Sequence, residues 1–333
     1  MRARTAFRAC AGAAVGSAVL AAVACNVGQG PSTGIGEPIQ IQGGQFVPGD
    51  LPGAPPVSDD AAAPADDAGA PALSVIITTS ASSQVVPGVS SKSISGDVTE
   101  DTAAVGVRFV DEGTGYWVVP VGAPDLAVPN AFSFGMSASF DPNDAPGIHQ
   151  LRFVAIGASG AAGTQHDMAL CVNSRIPDNG HACSPSIAPP GAVFSLQWDT
   201  NFDLDLHVAT SAGAQYSPKL PLGESLEAGV RLTPKDIPFI DRDSLRACVP
   251  DGLRQEDLVF PDGLTQGKYD IYVDPFAACG QNAVHYTLTI YVTSGTCPDC
   301  NLQPIYSRSG ELLASQVTGG TAPATFVYEQ VVN

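Results

Sequence analysis

Positive charge is the scarcest property of this sequence: 15 lysines and arginines stand against 33 aspartates and glutamates, a formal charge of −18. A surface that acidic repels nucleic acid and anionic lipid headgroups, so no nucleic-acid or direct membrane-surface role is expected. Long apolar runs are nearly as scarce, and past residue 24 none approaches membrane-spanning length. Helical periodicity of useful length is missing throughout. With it go the helix-borne motifs, the phosphate loop and His-Glu-x-x-His, and no Gly-x-Ser-x-Gly occurs either. The five histidines (His149, His166, His181, His207 and His285) are scattered. No nucleophile and base can be paired, which predicts a non-enzymatic protein. The competing class is a hydrolase of glycans or peptides whose site assembles only in three dimensions.

What is present begins with an export signal. Arg2, Arg4 and Arg8 precede a small, apolar run from Ala9 to Ala24. That run is too short to span a membrane and the right size for the core of a signal peptide. It ends Leu20-Ala21-Ala22-Val23-Ala24-Cys25, which resembles the lipobox of bacterial lipoproteins. The resemblance implies cleavage after residue 24 and lipidation of Cys25. An ordinary secretory cut after Ala22-Val23-Ala24 is the alternative. Losing residues 1–24 removes three arginines and no acid, leaving a still more acidic chain. Lipid would then be its one membrane anchor in the cell envelope. Outer membrane is preferred, because Asn26 is not the aspartate that signals inner-membrane retention.

Cysteine usage agrees with an oxidising compartment. Beyond Cys10 and Cys25 six remain, and an even number in an exported chain reads as disulfides. Neighbourhood in sequence favours Cys171 with Cys183, Cys248 with Cys279 and Cys297 with Cys300. Cys297-Pro-Asp-Cys300 is followed by strand-like residues rather than a helix, so a structural clip is expected over redox chemistry.

The chain from 25 to 72 holds Gly, Pro, Ala and Asp with no Lys or Arg. It reads as a disordered acidic stalk behind the anchor, too poor in large apolar residues to offset ordering entropy. From Leu73 the pattern becomes β. Phe132, Phe134, Met136, Ala138 and Phe140 alternate with polar or small residues, a period of two with one face toward a core. The expected fold class is all-β, two β-sandwich-like domains in tandem. The first covers 73–172, and its segment Pro146 to Gly160 resembles bacterial immunoglobulin-like envelope domains. A connector covers 173–190, a second sandwich 191–294, and a C-terminal β-hairpin or appendage 295–333.

In the second domain, Trp198-Asp199-Thr200 and Asp203-Leu204-Asp205-Leu206-His207-Val208 precede Gly267-Lys268-Tyr269. Over about 192–294 this resembles the YfaP-type domain of unknown function. The resemblance implies a sandwich and an envelope setting, and no reaction. The residues themselves suggest chemistry of another kind. Asp203, Asp205 and His207 share one side of a predicted strand, with Asp199 just upstream. Same-face neighbours lie ~6.5–7 Å apart, so Ca²⁺ could take oxygens from two of them plus loop donors. Asp270 and Asp274 are further candidates. The alternative is a solvated polar face. Asp241 and Asp243, beside Arg242, read as a solvated charge cluster. Trp117, Tyr116, Tyr272 and Tyr291 could serve a glycan or envelope-protein partner, or fill the core. The expected function is thus a binding, adhesion or structural module.

Overall fold

The computed structural model describes residues 33–55, 73–80, 84–88, 92–223, 237–320 and 324–333. The expected lipidation residue Cys25 and the expected signal peptide, residues 1–24, lie outside them. Among the described residues there is no α-helix, and so none long and apolar enough to cross a membrane. The chain is all-β.

Ten strands make the first sandwich. They are β1 (Ile39–Ile41), β2 (Gln45–Pro48), β3 (Val75–Ser80), β4 (Gln84–Val85) and β5 (Lys92–Thr99). Then follow β6 (Thr102–Phe109), β7 (Gly115–Pro120), β8 (Ala131–Phe140), β9 (Gly147–Gly157) and β10 (His166–Val172). One sheet runs β1-β8-β5-β3 and the facing sheet β2-β7-β6-β9-β10-β4. Their inner faces bury Ile94, Val98, Val105, Val107, Phe109, Phe134, Met136, Phe140, Leu151 and Phe153. The alternation along β8 puts Phe134, Met136, Ala138 and Phe140 inward, as the period of two requires.

Part of the expected stalk belongs to this sandwich. Ile39 and Ile41 of β1 and Phe46 of β2 are buried in its core. Phe46 meets Trp117 edge-on at 5.4 Å, and the Trp117 indole N–H donates to the Ile39 carbonyl at 2.8 Å. Residues 51–55 then lie over the outer face of the second sheet. Gln165 Nε2 donates to the Leu51 and Pro52 carbonyls. A side chain at Gly53 (φ 94°) would collide with the Gly163 carbonyl, so only glycine lets the two backbones approach. Three well-spaced apolar residues suffice to order this segment because partner strands are already waiting. Its composition alone hides that.

The second sandwich has nine strands. They are β11 (Ala192–Trp198), β12 (Asp203–Thr210), β13 (Gln215–Tyr216), β14 (Phe239–Ile240) and β15 (Gln255–Phe260). Then come β16 (Gly267–Ala277), β17 (Ala283–Ser294), β18 (Asn301–Leu313) and β19 (Thr325–Val332). One sheet runs β14-β15-β11-β17-β18, the other β13-β12-β16-β19. Phe194, Leu196, Phe202, Leu204, Leu206, Leu258, Ile271, Val273, Leu288 and Ile290 fill a separate core. Tyr269 is buried there, and its hydroxyl donates back to the Thr265 carbonyl at 3.0 Å.

The C-terminal residues form no hairpin or appendage. β18 extends one sheet beside β17, and β19 extends the other beside β16. The two edges meet across the sandwich, where Tyr306 stacks on Tyr328 at 3.7 Å and Arg308 donates to the Val327 carbonyl. The sandwich is incomplete without them, since Leu312 and Val327 are core residues.

All three disulfides are present: Cys171–Cys183, Cys248–Cys279 and Cys297–Cys300. The first ties the connector to the end of β10. The third clips the turn between β17 and β18, with no helix beside it.

Candidate metal centre

β12 alternates as expected, with Leu204, Leu206 and Val208 in the core. The opposite face is not solvated: Asp203 is 1% exposed and Asp205 3%. β16 runs beside β12 in antiparallel register and sets Asp274, 2% exposed, directly across from Asp205. Two like charges opposite one another across a ladder destabilise it unless something positive intervenes.

The cover comes from residues 241–248. Asp243 projects from this loop toward the strand acids, and the Ala247 N–H donates to Asp203 Oδ2 at 3.1 Å. Two covalent and polar ties hold the loop down. Cys248–Cys279 links it to the turn after β16. Glu256, fully buried on β15 of the other sheet, accepts from the Leu206 N–H at 2.7 Å and the Ser244 N–H at 3.3 Å. Glu256 thereby satisfies the open edge of β12 and the loop together. Leu245, Ala247 and Cys248 all have φ between 53° and 64°, a left-handed conformation that costs non-glycine residues about 1–2 kcal/mol each. Such strain persists only where the surroundings impose it.

Two donor groups result, each with its ligating atoms within 4.8 Å of one another: Asp205, His207 and Asp274, and Asp203, Asp205 and Asp243. His207 Nε2 stands 3.9 Å from a carboxylate oxygen of Asp205 and 3.9 Å from one of Asp274. That is too long for a hydrogen bond. It matches donors sharing one ion at about 2.0–2.4 Å, which stand roughly 3–4 Å apart. The Nε2 atom is buried without a hydrogen-bond partner.

Electrostatics follow from this crowding. Burial, and then the charges of Asp205 and Asp243, push the Asp203 carboxyl up to about 7. Burial likewise raises Asp243 and Asp274, with Asp205 adding to both. Glu256 is raised well above the usual carboxylate range by burial and by Asp205. Among the described residues, Lys219 is the lysine whose charge acts on Asp203, Asp243 and Asp274; it is exposed and lies over the Phe276 ring at 3.9 Å. Arg246 approaches Asp243 at 3.6 Å but is itself four-fifths exposed.

Of the residues expected from sequence, the fold unites Asp203, Asp205, His207 and Asp274. Asp199 is not among them. It lies at the far end of β11, half exposed, accepting from the His285 backbone N–H and pairing with its ring at 3.0 Å. Asp270 also stays out, two same-face positions along β16 or about 13 Å away. Asp243 is gained from the supposed solvated cluster. Its neighbour Asp241 is spent elsewhere, accepting from Arg242 at 2.6 Å and from the Asp257 N–H at 3.0 Å. Glu256 had no signal in the sequence beyond its place in Gln255-Glu256-Asp257.

Two other features bear on chemistry. A shallow groove of about 590 Å³ is lined by Trp198, Asp199, His285 and Glu311. His285 there faces Asp199 on one ring nitrogen and Glu311 at 4.0 Å on the other, with no hydroxyl hydrogen-bonded to the ring. It is a solvated charge cluster. Of the candidate aromatics, Trp117 is core, whereas Tyr272 meets the exposed Phe326 edge-on at 5.5 Å.

No family model and no curated protein matches the sequence. Among solved structures, the chain is similar to a collagen adhesin of S. aureus at 10% identity and a TM-score of 0.17. That match covers 72% of this chain and 95% of the adhesin chain. A likeness at that score carries no functional argument, and the all-β architecture rests on the strands themselves.

Proposed function

We propose that this chain is an exported envelope lipoprotein, anchored through Cys25, whose second sandwich is a divalent-cation-stabilised binding module. One observation carries the cation. Three buried acids, Asp203, Asp205 and Asp274, crowd together with Asp243 around a buried imidazole nitrogen, His207 Nε2, that has no hydrogen-bond partner. Burying unpaired charge costs several kcal/mol per ion, and a bound cation removes that cost. The ion would link Asp243 in the 241–248 loop to Asp203, Asp205 and Asp274 on the strands. It would therefore fix that loop, which fits a module presenting loops to an envelope protein or glycan. The export signal, the disulfides and the YfaP-type resemblance over 192–294 support the envelope setting.

Thermal unfolding of the purified chain in EDTA and in millimolar Ca²⁺ tests the cation. A rise in the melting temperature of the second sandwich that Asp203→Asn/Asp205→Asn abolishes is the expected result. Equal melting of both proteins in both buffers would return these acids to a metal-free structural role. For the anchor, wild-type cells fed a labelled fatty acid should label the chain and Cys25→Ser cells should not. Label in both would refute lipidation at that residue.

A further inference from the structure

Resting on the reading that a divalent cation occupies the cluster, we infer that the site holds two ions, bridged by the carboxylate of Asp205. The two donor groups have only Asp205 in common. Along β12, Asp203 and His207 flank it on the same face, each about 6.5–7 Å away along the strand. The coordination sphere of one ion, with donors at up to about 2.4 Å, spans only about 5 Å. Donors placed on both sides of Asp205 therefore define two centres, one for each oxygen of its carboxylate. Bridged ions of this kind stand about 3.5–4 Å apart.

The remaining contacts fit such a division. Asp203 uses Oδ2 to accept from Ala247, leaving Oδ1 for the ion. Asp274 uses Oδ1 to accept from the Thr318 hydroxyl, leaving Oδ2 facing His207. Two of the four ligating carboxylates, Asp203 and Asp274, are thus held by their other oxygen, an arrangement that orients ligands in metal sites. Charge argues the same way. Asp203, Asp205, Asp243 and Asp274 bring four negative charges into a face that a single divalent ion would half neutralise. The two positions differ in chemistry. His207, Asp205 and Asp274 offer one nitrogen and two oxygens, which suit a borderline ion such as Zn²⁺ and are also accepted by the harder Mn²⁺. Asp203, Asp205 and Asp243 offer oxygen alone, which suits Ca²⁺. Water completes both spheres.

Manganese serves as the probe, because it accepts both donor sets and reports on its neighbours. The EDTA-stripped chain is equilibrated with Mn²⁺, freed of excess, and analysed for bound metal and by electron paramagnetic resonance. Wild type should hold two Mn²⁺ per chain with a spectrum broadened by coupling between them. His207→Gln and Asp243→Asn should each retain one ion, with the narrow hyperfine pattern of an isolated Mn²⁺, and Asp205→Asn should lose both. Circular dichroism identifies any variant that has failed to fold, and the two single-site variants decide the question without Asp205→Asn. One ion in wild type, lost in both His207→Gln and Asp243→Asn, would overturn the two-ion site while leaving a one-ion centre standing. Two uncoupled ions would overturn the bridge. No bound ion would overturn the inference together with the proposal beneath it.

Discussion

Replacing Asp205 by asparagine should have opposite effects with and without cation. Without cation, Asp205 stands within 4.8 Å of donor atoms on Asp203, Asp243, Asp274 and His207, and of these Asp203, Asp205 and Asp274 are buried while Asp243 and His207 are half-buried. Two unit charges at that distance repel by roughly 3.5 kcal/mol at an effective dielectric of about 20. Proton uptake by Asp203 and its neighbours relieves part of this. A net stabilisation of about 1–3 kcal/mol is therefore expected for Asp205→Asn in EDTA. For a domain of this size that is a rise of roughly 3–10 °C in its melting temperature. With cation the order inverts. Each occupied site stabilises wild type by about 2.7 kcal/mol at a hundredfold excess over Kd, whereas the variant gains nothing. Calorimetry of the purified chain is the assay, because two sandwiches with separate cores can melt as separate transitions. Only the transition of the second sandwich should respond. A variant less stable than wild type in EDTA would refute the reasoning, since it would mean that Asp205 is well satisfied without an ion. A cation effect of equal size in both proteins would place the ion elsewhere.

Further expectations follow from other parts of the structure. Glu256→Leu orphans the Leu206 and Ser244 N–H groups, at about 1–3 kcal/mol each, while Glu256→Gln keeps one acceptor and should lose less; urea unfolding separates them. Phe46→Ala should destabilise the first sandwich by about 3–5 kcal/mol in the same assay, whereas a residue in a free stalk would cost nothing. Cys248→Ala/Cys279→Ala opens a bridge of sequence separation 31 and should cost about 3–4 kcal/mol, with weaker cation binding as the covering loop is released. The pH dependence of the first sandwich should come in part from Asp144, whose carboxyl is pushed up to about 7 by burial, then by Glu112 and Asp141. The folded state holds this proton more tightly than the unfolded one, so stability falls as pH rises from about 4 to 7 and is flat above. Asp144→Asn should flatten that slope, worth on the order of 1–2 kcal/mol after solvent screening, and a slope unchanged in the variant would assign it to other groups.

Local sequence determined a good deal of this protein. A period of two along Phe134, Met136, Ala138 and Phe140, and along Leu204, Leu206 and Val208, fixes strand identity and the core-facing side wherever it occurs. Cysteines near in sequence were near in space, because short loops bring their ends together at little entropic cost. The same alternation placed Asp203, Asp205 and His207 on a common face.

What covers that face was beyond any local pattern. Asp243 and Glu256 arrive from later strands and loops, on the opposite sheet or beside it, and their burial depends on the Cys248–Cys279 bridge and on strand order. Asp199 stands apart from the cluster for the converse reason: its nearness in sequence to Asp203 did not survive the turn between β11 and β12. The strands at 39–48 were missed similarly, and β18 and β19, expected as a hairpin, pair instead with β17 and β16. A short or polar strand gains its order from the partner it pairs with, and the choice of partner is a property of the whole fold. Composition and periodicity are summed along the chain, whereas burial and the meeting of charges are settled across it, and only the tertiary structure could turn a row of acidic residues into an enclosed site.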